Sequence, residues 1–414
     1  MKKRNYRAKK VNNTHWDQIK EQLAGEAAVF AIDVAKKQQF GLLSTEDNTV
    51  SVLLKWNHPE QTGELLRALK DLDCPLTMVM ESTGTYGDAL RYQFRQNGFE
   101  VDQISAKRVC DAREVYDGVP SLHDAKAATV ITRLHRSGLS RPWRESTDDE
   151  RCLDALRREY DLHQSQYQRN QNRLEAYLGR HWPEVLYLLP LDSVTLEYLL
   201  REYGTPERIV EASSEAAKNM RSWGKSGLTQ DKIERVIQSA AHTLGQPCIE
   251  SERQYLQALA EEMRHSRLQQ KKAKHALEAI IKSDDELRPL GYILGMVTTA
   301  VLISCRLDPR QYDCARSYQK ACGLNLKEKS SGQYVGQLKI TKRGSSVARH
   351  YLYFTALRLI YRDPVVKIWY QHKVDPRAKN KTVIALMRKL SKALWHVARG
   401  ERFDASKMLT VSTA

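Results

Sequence analysis

A chain of 414 residues with 41% hydrophobic and 28% charged side chains has room for two or three domains and a composition that excludes intrinsic disorder. Its formal net charge of +16 calls for a polyanionic partner, and nucleic acid is favoured over a membrane because no apolar run reaches about 18 residues. The seven cysteines (74, 110, 152, 248, 305, 314 and 322) are odd in number and form no C-x-x-C pair, which argues against a disulfide framework or a zinc site and for a reducing cytoplasm.

The first ten residues, from Met1 to Lys10, are basic, and no apolar stretch that could act as a secretory segment follows them. Residues 1–25 therefore read as a basic arm. Three short apolar runs come next, AVFAIDV (28–34), QFGLLST (39–45) and TVSVLLK (49–55), each rich in strand formers and separated by polar breaks. A helix is expected over about 60–71. PLTMVME (75–81) is apolar almost throughout, as a strand buried on both faces must be. A helix, the strand FEVDQIS (99–105) and two further helices carry this segment to about 138.

From about 146 the pattern becomes helical. Leu153, Leu156, Tyr160, His163, Tyr167, Asn170, Leu174 and Tyr177 recur at alternating three- and four-residue spacing, the seam of a coiled coil. A second long helix is expected over about 249–282. Beyond 286 the chain is helical again but differently charged, with 16 Lys plus Arg against 3 Asp plus Glu between Lys339 and Arg402. Tyr351, Tyr353, Phe354, Tyr361, Trp369, Tyr370 and Trp395 are interleaved with these cations, the mixture that stacks on bases and neutralises phosphates.

Two of the strands end in acids, Asp33 and Glu81. A lone carboxylate at the end of a buried strand is costly unless something pairs with it. Two of them on neighbouring strands would lie side by side, as hard divalent cations require. Asp124 opens an Ala-rich helix in Ser121-Leu122-His123-Asp124-Ala125, where it also suits the helix dipole.

Together FAIDVAKK, VMESTGTYG and HDAKAA resemble the RuvC-like domain of the DEDD insertion-sequence transposases, the "one-ten" family that includes Piv-type DNA invertases. The element order, three strands and then alternating helix and strand, is that of the RNase H-like fold. The family's third motif is D-x-x-D followed by Ala; Asp124-Ala125 matches its second half, whereas Ser121 stands at the first aspartate. Asp117 in the preceding loop is the favoured substitute carboxylate, with His123 as the alternative. Further on, Gly323-Leu324, Ser331-Gly332, Lys342-Arg343-Gly344 and Arg349-x-x-Leu352 match, in order and spacing, the family's G-L, S-G, K-x-G and R-x-x-L positions.

The resemblance implies an α/β plus α architecture. It has a RuvC-like carboxylate domain over 26–145, a helical or coiled-coil insertion over 146–285 and a mainly helical serine domain over 286–414. It implies Asp33, Glu81, Asp117 and Asp124 as ligands for Mg²⁺ or Mn²⁺, and Ser331, or its neighbour Ser330, as a nucleophile. Lys327, Lys329, Lys342, Arg343 and Arg349 would hold the nucleic acid. The expected activity is serine-dependent, RNA-guided recombination through a 5′-phosphoserine link. Its partners would be donor and target DNA, a structured guide RNA and further copies in a tetramer, a dimer of dimers, on the cytoplasmic nucleoid. A metal-dependent junction nuclease without a covalent step and a non-catalytic nucleic-acid-binding protein are the alternatives. Three other features are decoys: Gly224-Lys225-Ser226 lacks the rest of a P-loop, Asp148-Asp149-Glu150 reads as a helix start, and Arg349-His350-Tyr351 lacks a tyrosine recombinase's other residues.

Overall fold

The N-terminal segment opens with a two-residue strand β1 (Lys9–Lys10), a 3-10 turn and helix α1 (Trp16–Leu23). In this computed structural model the described residues are 8–409, without 83, 116–123, 225–226, 329–335 and 337. They divide between two units, Met1–Ser146 and Thr147–Ala414. Val11, Ile19 and Leu23 are buried in the first unit's main core, so residues 9–23 belong to the fold. Residues 1–7, the most basic part of the expected arm, lie outside the described residues.

Strands β2 (Ala28–Asp33), β3 (Gln38–Thr45) and β4 (Ser51–Asn57) form an antiparallel meander. Then follow α2 (Thr62–Asp71), β5 (Leu76–Glu81), α3 (Asp88–Gln96), β6 (Glu100–Ile104), α4 (Ala106–Ala112), α5 (Asp124–Arg136) and β7 (Arg141–Pro142). Among the described residues the sheet has seven strands in the order β1-β4-β3-β2-β5-β6-β7, with β2, β5 and β6 mutually parallel. This mixed sheet is compatible with an RNase H-like domain.

Strand periodicity decides which face each residue takes. Phe30 and Ile32 of β2 and Met78 and Met80 of β5 enter the larger core, with Leu65 and Leu69 of α2 and Phe94 of α3. Ala31 and Val79 enter a smaller core on the opposite face, with Val109 of α4 and Val130, Ile131 and Leu134 of α5. Gly41 of β3 has no room for a side chain, because a Cβ there would lie 2.4 Å from the Phe30 ring, which stacks on Trp56.

The second unit is mainly helical. The long helix α6 (Asp148–His181) is followed by α7 (Val185–Leu188), α8 (Val194–Glu202), α9 (Pro206–Glu211), α10 (Ser213–Gly224) and α11 (Gln230–Ala241), and then by the equally long α12 (Glu250–Ser283). Next come α13 (Arg288–Leu294), α14 (Met296–Ser304), α15 (Ala315–Ala321), the ribbon β8 (Leu326–Lys327) and β9 (Lys339–Ile340), α16 (Ser346–Arg362), α17 (Pro364–Lys373), α18 (Lys379–Val397) and α19 (Ala405–Met408).

The coiled-coil seam is satisfied within the chain. Helices α6 and α12 run antiparallel: His181 lies near Glu252, Gln270 hydrogen-bonds Gln164, and Leu153 shares a core with Leu277 and Ile281. Two cores sit along this pair. One gathers Leu174, Leu178 and Trp182 with Leu256, Leu259 and helices α8–α11; the other joins Leu153 and Leu277 to α13–α18. Helix α6 starts where the acidic run stands, with a reciprocal capping box between Thr147 and Glu150. No single described helix is long and apolar enough to cross a membrane.

Candidate functional site

Asp33 and Glu81 are the last residues of β2 and β5, one step beyond the Ile32–Met80 pair that closes the parallel register. They share the alternation of Ala31 and Val79, so both point to the face that α5 covers. Asp124 is the first residue of α5, exposed at the helix end that favours negative charge.

Asp33 senses both of the other acids. Asp33 is pushed from 3.8 up to about 7, first by burial and then by the charges of Glu81 and Asp124, while Arg113 opposes the shift. Glu81, 7% exposed, is also raised by burial and lowered by Arg113. A carboxyl group held protonated up to about 7 by burial, with two further acids beside it, is short of cations, and an oxygen-ligated divalent metal suits that deficit. Asp117 and His123, the two proposed fourth groups, lie outside the described residues.

Two arginines that sequence reasoning passed over shape this corner. Arg91 is buried and donates from Nη2 to the Glu81 carbonyl at 2.9 Å and from Nη1 to Asp88 at 2.7 Å, which holds the end of β5. Gly87 makes room for it, since a Cβ there would come within 2.7 Å of the guanidinium. Arg113 follows α4 and is the cation nearest in effect to Asp33 and Glu81. The only sequence signal for either was an arginine within an otherwise amphipathic helical stretch.

In the second unit the described motif positions Gly323, Leu324, Gly344 and Arg349 converge. Gly344 leaves no space, because a Cβ would lie 2.3 Å from the Ala321 carbonyl and 2.6 Å from the Gly323 nitrogen. Gly323 adopts φ +71°, and a Cβ there would meet the Arg349 guanidinium at 2.3 Å. Arg349 in turn donates to the Gly344 carbonyl at 3.0 Å, and Arg388 to the Leu324 carbonyl at 2.9 Å. Thr341 bonds Asn325 through both backbone and side chain, closing the base of the β8–β9 ribbon.

Lys327, Lys342 and Arg343 are exposed around this base, as nucleic-acid contacts must be. Arg349 is half-buried and is committed to the Gly344 carbonyl, so it supports the loop more than it presents charge. Lys329, Ser330 and Ser331 lie outside the described residues. The interleaved aromatics are not one stacking surface. Trp369 is buried, Trp395 is capped by the Arg399 guanidinium at 3.7 Å, and Tyr351 donates to Asp161 at 2.9 Å. Burial, and then the charge and hydrogen bond of Asp161, hold the Tyr351 hydroxyl above its ordinary value. Phe354 and Tyr361, seven residues apart on α16, remain exposed.

Residues 30–183 match a family model for transposases of the DEDD, IS110 type, and residues 294–371 match the model described as Transposase IS116/IS110/IS902 family. No curated protein matches the chain. Both matched models describe IS110-type transposases, and the relationship to serine-dependent recombinases that the resemblance implied is not borne out. The matched descriptions name transposases and assign no residue roles, so they do not reach the serine.

Proposed function

Because this chain belongs to the IS110 family of transposases and is an enzyme acting on DNA in transposition, we propose that its strand-end carboxylates cut DNA and that a C-terminal serine holds the cut end. The family implies a divalent metal. Asp33, Glu81 and Asp124 would hold it, with Asp117 or His123 completing the set. A divalent metal held there would supply Lewis-acid stabilisation of charge on the scissile phosphate and would make the attacking hydroxyl more acidic. The observation that carries this reading is the common face of Asp33 and Glu81 at the ends of paired parallel strands, beneath the start of α5.

Ser331, or Ser330 beside it, is the proposed nucleophile. Its Oγ forms an ester with the 5′-phosphate while the 3′ oxygen leaves, and the serine's proton ends on the released 3′-hydroxyl. The phosphodiester energy is kept for rejoining. The well-anchored ribbon base and the exposed Lys327, Lys342 and Arg343 support a phosphate being held at this place. We further propose that a structured RNA of the element guides the choice of donor and target DNA and that the enzyme works as a tetramer, a dimer of dimers, on the nucleoid. The net charge of +16 supports a nucleic-acid load of this kind.

The test is to incubate the protein with Mg²⁺ and branched DNA, denature the mixture and digest it for mass spectrometry. A nucleotide on Ser331 is the expected result, and one on Ser330 would move the assignment by one residue. Cleavage with no adduct would leave a metal nuclease and sink the covalent step.

A further inference from the structure

Another group of potential metal ligands lies in the second unit, where α6 ends and α12 begins. A ring nitrogen of His181, the Sγ of Cys248 and a carboxylate oxygen of Glu252 all lie within 4.8 Å of one another. His181 is 1% exposed, and its Nδ1 is 2.7 Å from the Gln246 carbonyl. A carbonyl oxygen only accepts, so Nδ1 carries a proton, and in the neutral ring Nε2 presents a lone pair. That Nε2 is buried with no hydrogen-bond partner, and the nearest Glu252 oxygen is 3.7 Å away. In the neutral ring a lone pair facing a carboxylate across that gap is unfavourable, and a cation bound between them removes the conflict.

The surrounding chain is built to hold this arrangement. Gly245 allows the 243–248 loop to press on α6, because a Cβ would fall 2.2 Å from the His181 carbonyl. The Gln246 amide donates to the Arg180 carbonyl at 2.8 Å, and Glu184 accepts from Thr243 and Leu244. The second oxygen of Glu252 accepts from the Ile249 amide at 3.1 Å, which turns the first toward His181. Arg180 lies 3.5 Å from that oxygen but leaves Nε2 unpartnered. Glu207, at the start of α9, has a buried Oε2 without a hydrogen-bond partner and acts electrostatically on Cys248.

We propose that His181 Nε2, Cys248 Sγ and Glu252, with Glu207 as fourth donor, form a zinc site that pins the α6 C-terminus to the α12 N-terminus. One imidazole, one thiolate and carboxylates suit a borderline cation, whereas Mg²⁺ avoids sulfur. The Gln246 carbonyl on Nδ1 is the outer-sphere bond that zinc-ligating histidines typically make. Binding would displace the thiol proton of Cys248, which burial otherwise retains up to about 11. The cysteine spacing argued against zinc because it was read locally; here the donors come from separate helix ends.

The experiment uses the untagged full chain, loaded with Zn²⁺, dialysed and measured for bound metal, and then loaded with Co²⁺. About one zinc per chain should survive dialysis, and Co²⁺ should give a thiolate charge-transfer band in the near ultraviolet. Cys248→Ser and His181→Gln should each lose the band, while Asp33→Asn, at the transposition site, should keep it. Cys248 is only half-buried, so its serine variant should fold and decide the matter if His181→Gln does not. Wild type retaining less than about a tenth of an equivalent, or Cys248→Ser retaining as much as wild type, would overturn the site.

Discussion

Asp33 and Glu81 end adjacent parallel strands on the same face of the sheet, immediately after the Ile32–Met80 pair. Arg113 lowers both acids, but burial, and for Asp33 also the charges of Glu81 and Asp124, outweigh it. Asp33→Asn and Glu81→Gln keep the shape and remove a charge. Because even outer-sphere partners of a metal cost about 10–100-fold, each should lower strand cleavage by roughly a hundredfold or more. DNA affinity measured by gel shift should stay within about threefold, since the phosphate-binding cations are untouched. Cleavage that survives both substitutions would remove these residues from the chemistry.

The same acids set a pH dependence. The folded protein holds a proton on Asp33 up to about 7, against 3.8 ordinarily, so between those values it binds more protons than the unfolded chain. The contribution to stability of the metal-free protein is therefore complete below about 4 and is lost as pH rises toward about 7. Thermal melts in a chelator should fall over that window. Mg²⁺ should restore the loss near neutral pH and have little effect at pH about 5, where it competes with the proton. A chelated Asp33→Asn protein should show a flatter profile; a profile as steep as wild type would mean that another group is responsible.

Polyanion affinity should depend on the exposed cations at the ribbon base. Each phosphate contact adds about 0.9 to the slope of log K against log salt, so Lys342→Gln with Arg343→Gln should flatten it by about two. Arg349→Gln belongs to a different class, because Arg349 bonds the Gly344 carbonyl. It should lower the melting temperature more than it alters the slope. An unchanged slope in the double variant would move the contact surface elsewhere, with residues 1–10 the next to neutralise.

Gly323 and Gly344 should tolerate nothing larger. Gly344→Ala sets a Cβ 2.3 Å from a backbone carbonyl that cannot swing away, and the residue's φ of +148° is one that L side chains rarely adopt. A loss of about 2–3 kcal/mol is expected from urea unfolding, as for other strained backbone positions. Gly323→Ala should cost about 1–2 kcal/mol for the left-handed backbone, with displacement of Arg349 in addition. Unfolding curves that superimpose on wild type would show that the two glycines do not hold the motif together.

What the sequence by itself determined is whatever a strand or helix period encodes. Apolar runs ending in Asp33 and Glu81 specify two buried strands, and the two-residue period assigns both acids to one face once those strands pair. Thr147 with Glu150 marks the start of α6 by local capping, and the seam from Leu153 to Tyr177 marks its buried side. Nothing local identified the partner of that seam, which is α12 of the same chain, or separated Trp369 and Trp395, which pack, from Phe354 and Tyr361, which face solvent. Nor did it show that α1, within the charged N-terminal stretch, buries Ile19 and Leu23. The meeting of Arg91 with the end of β5, and of His181 with Cys248 and Glu252, was likewise decided by tertiary structure. The physical reason is that periodicity is a property of one element's backbone, whereas convergence depends on how far distant elements slide before their side chains interlock.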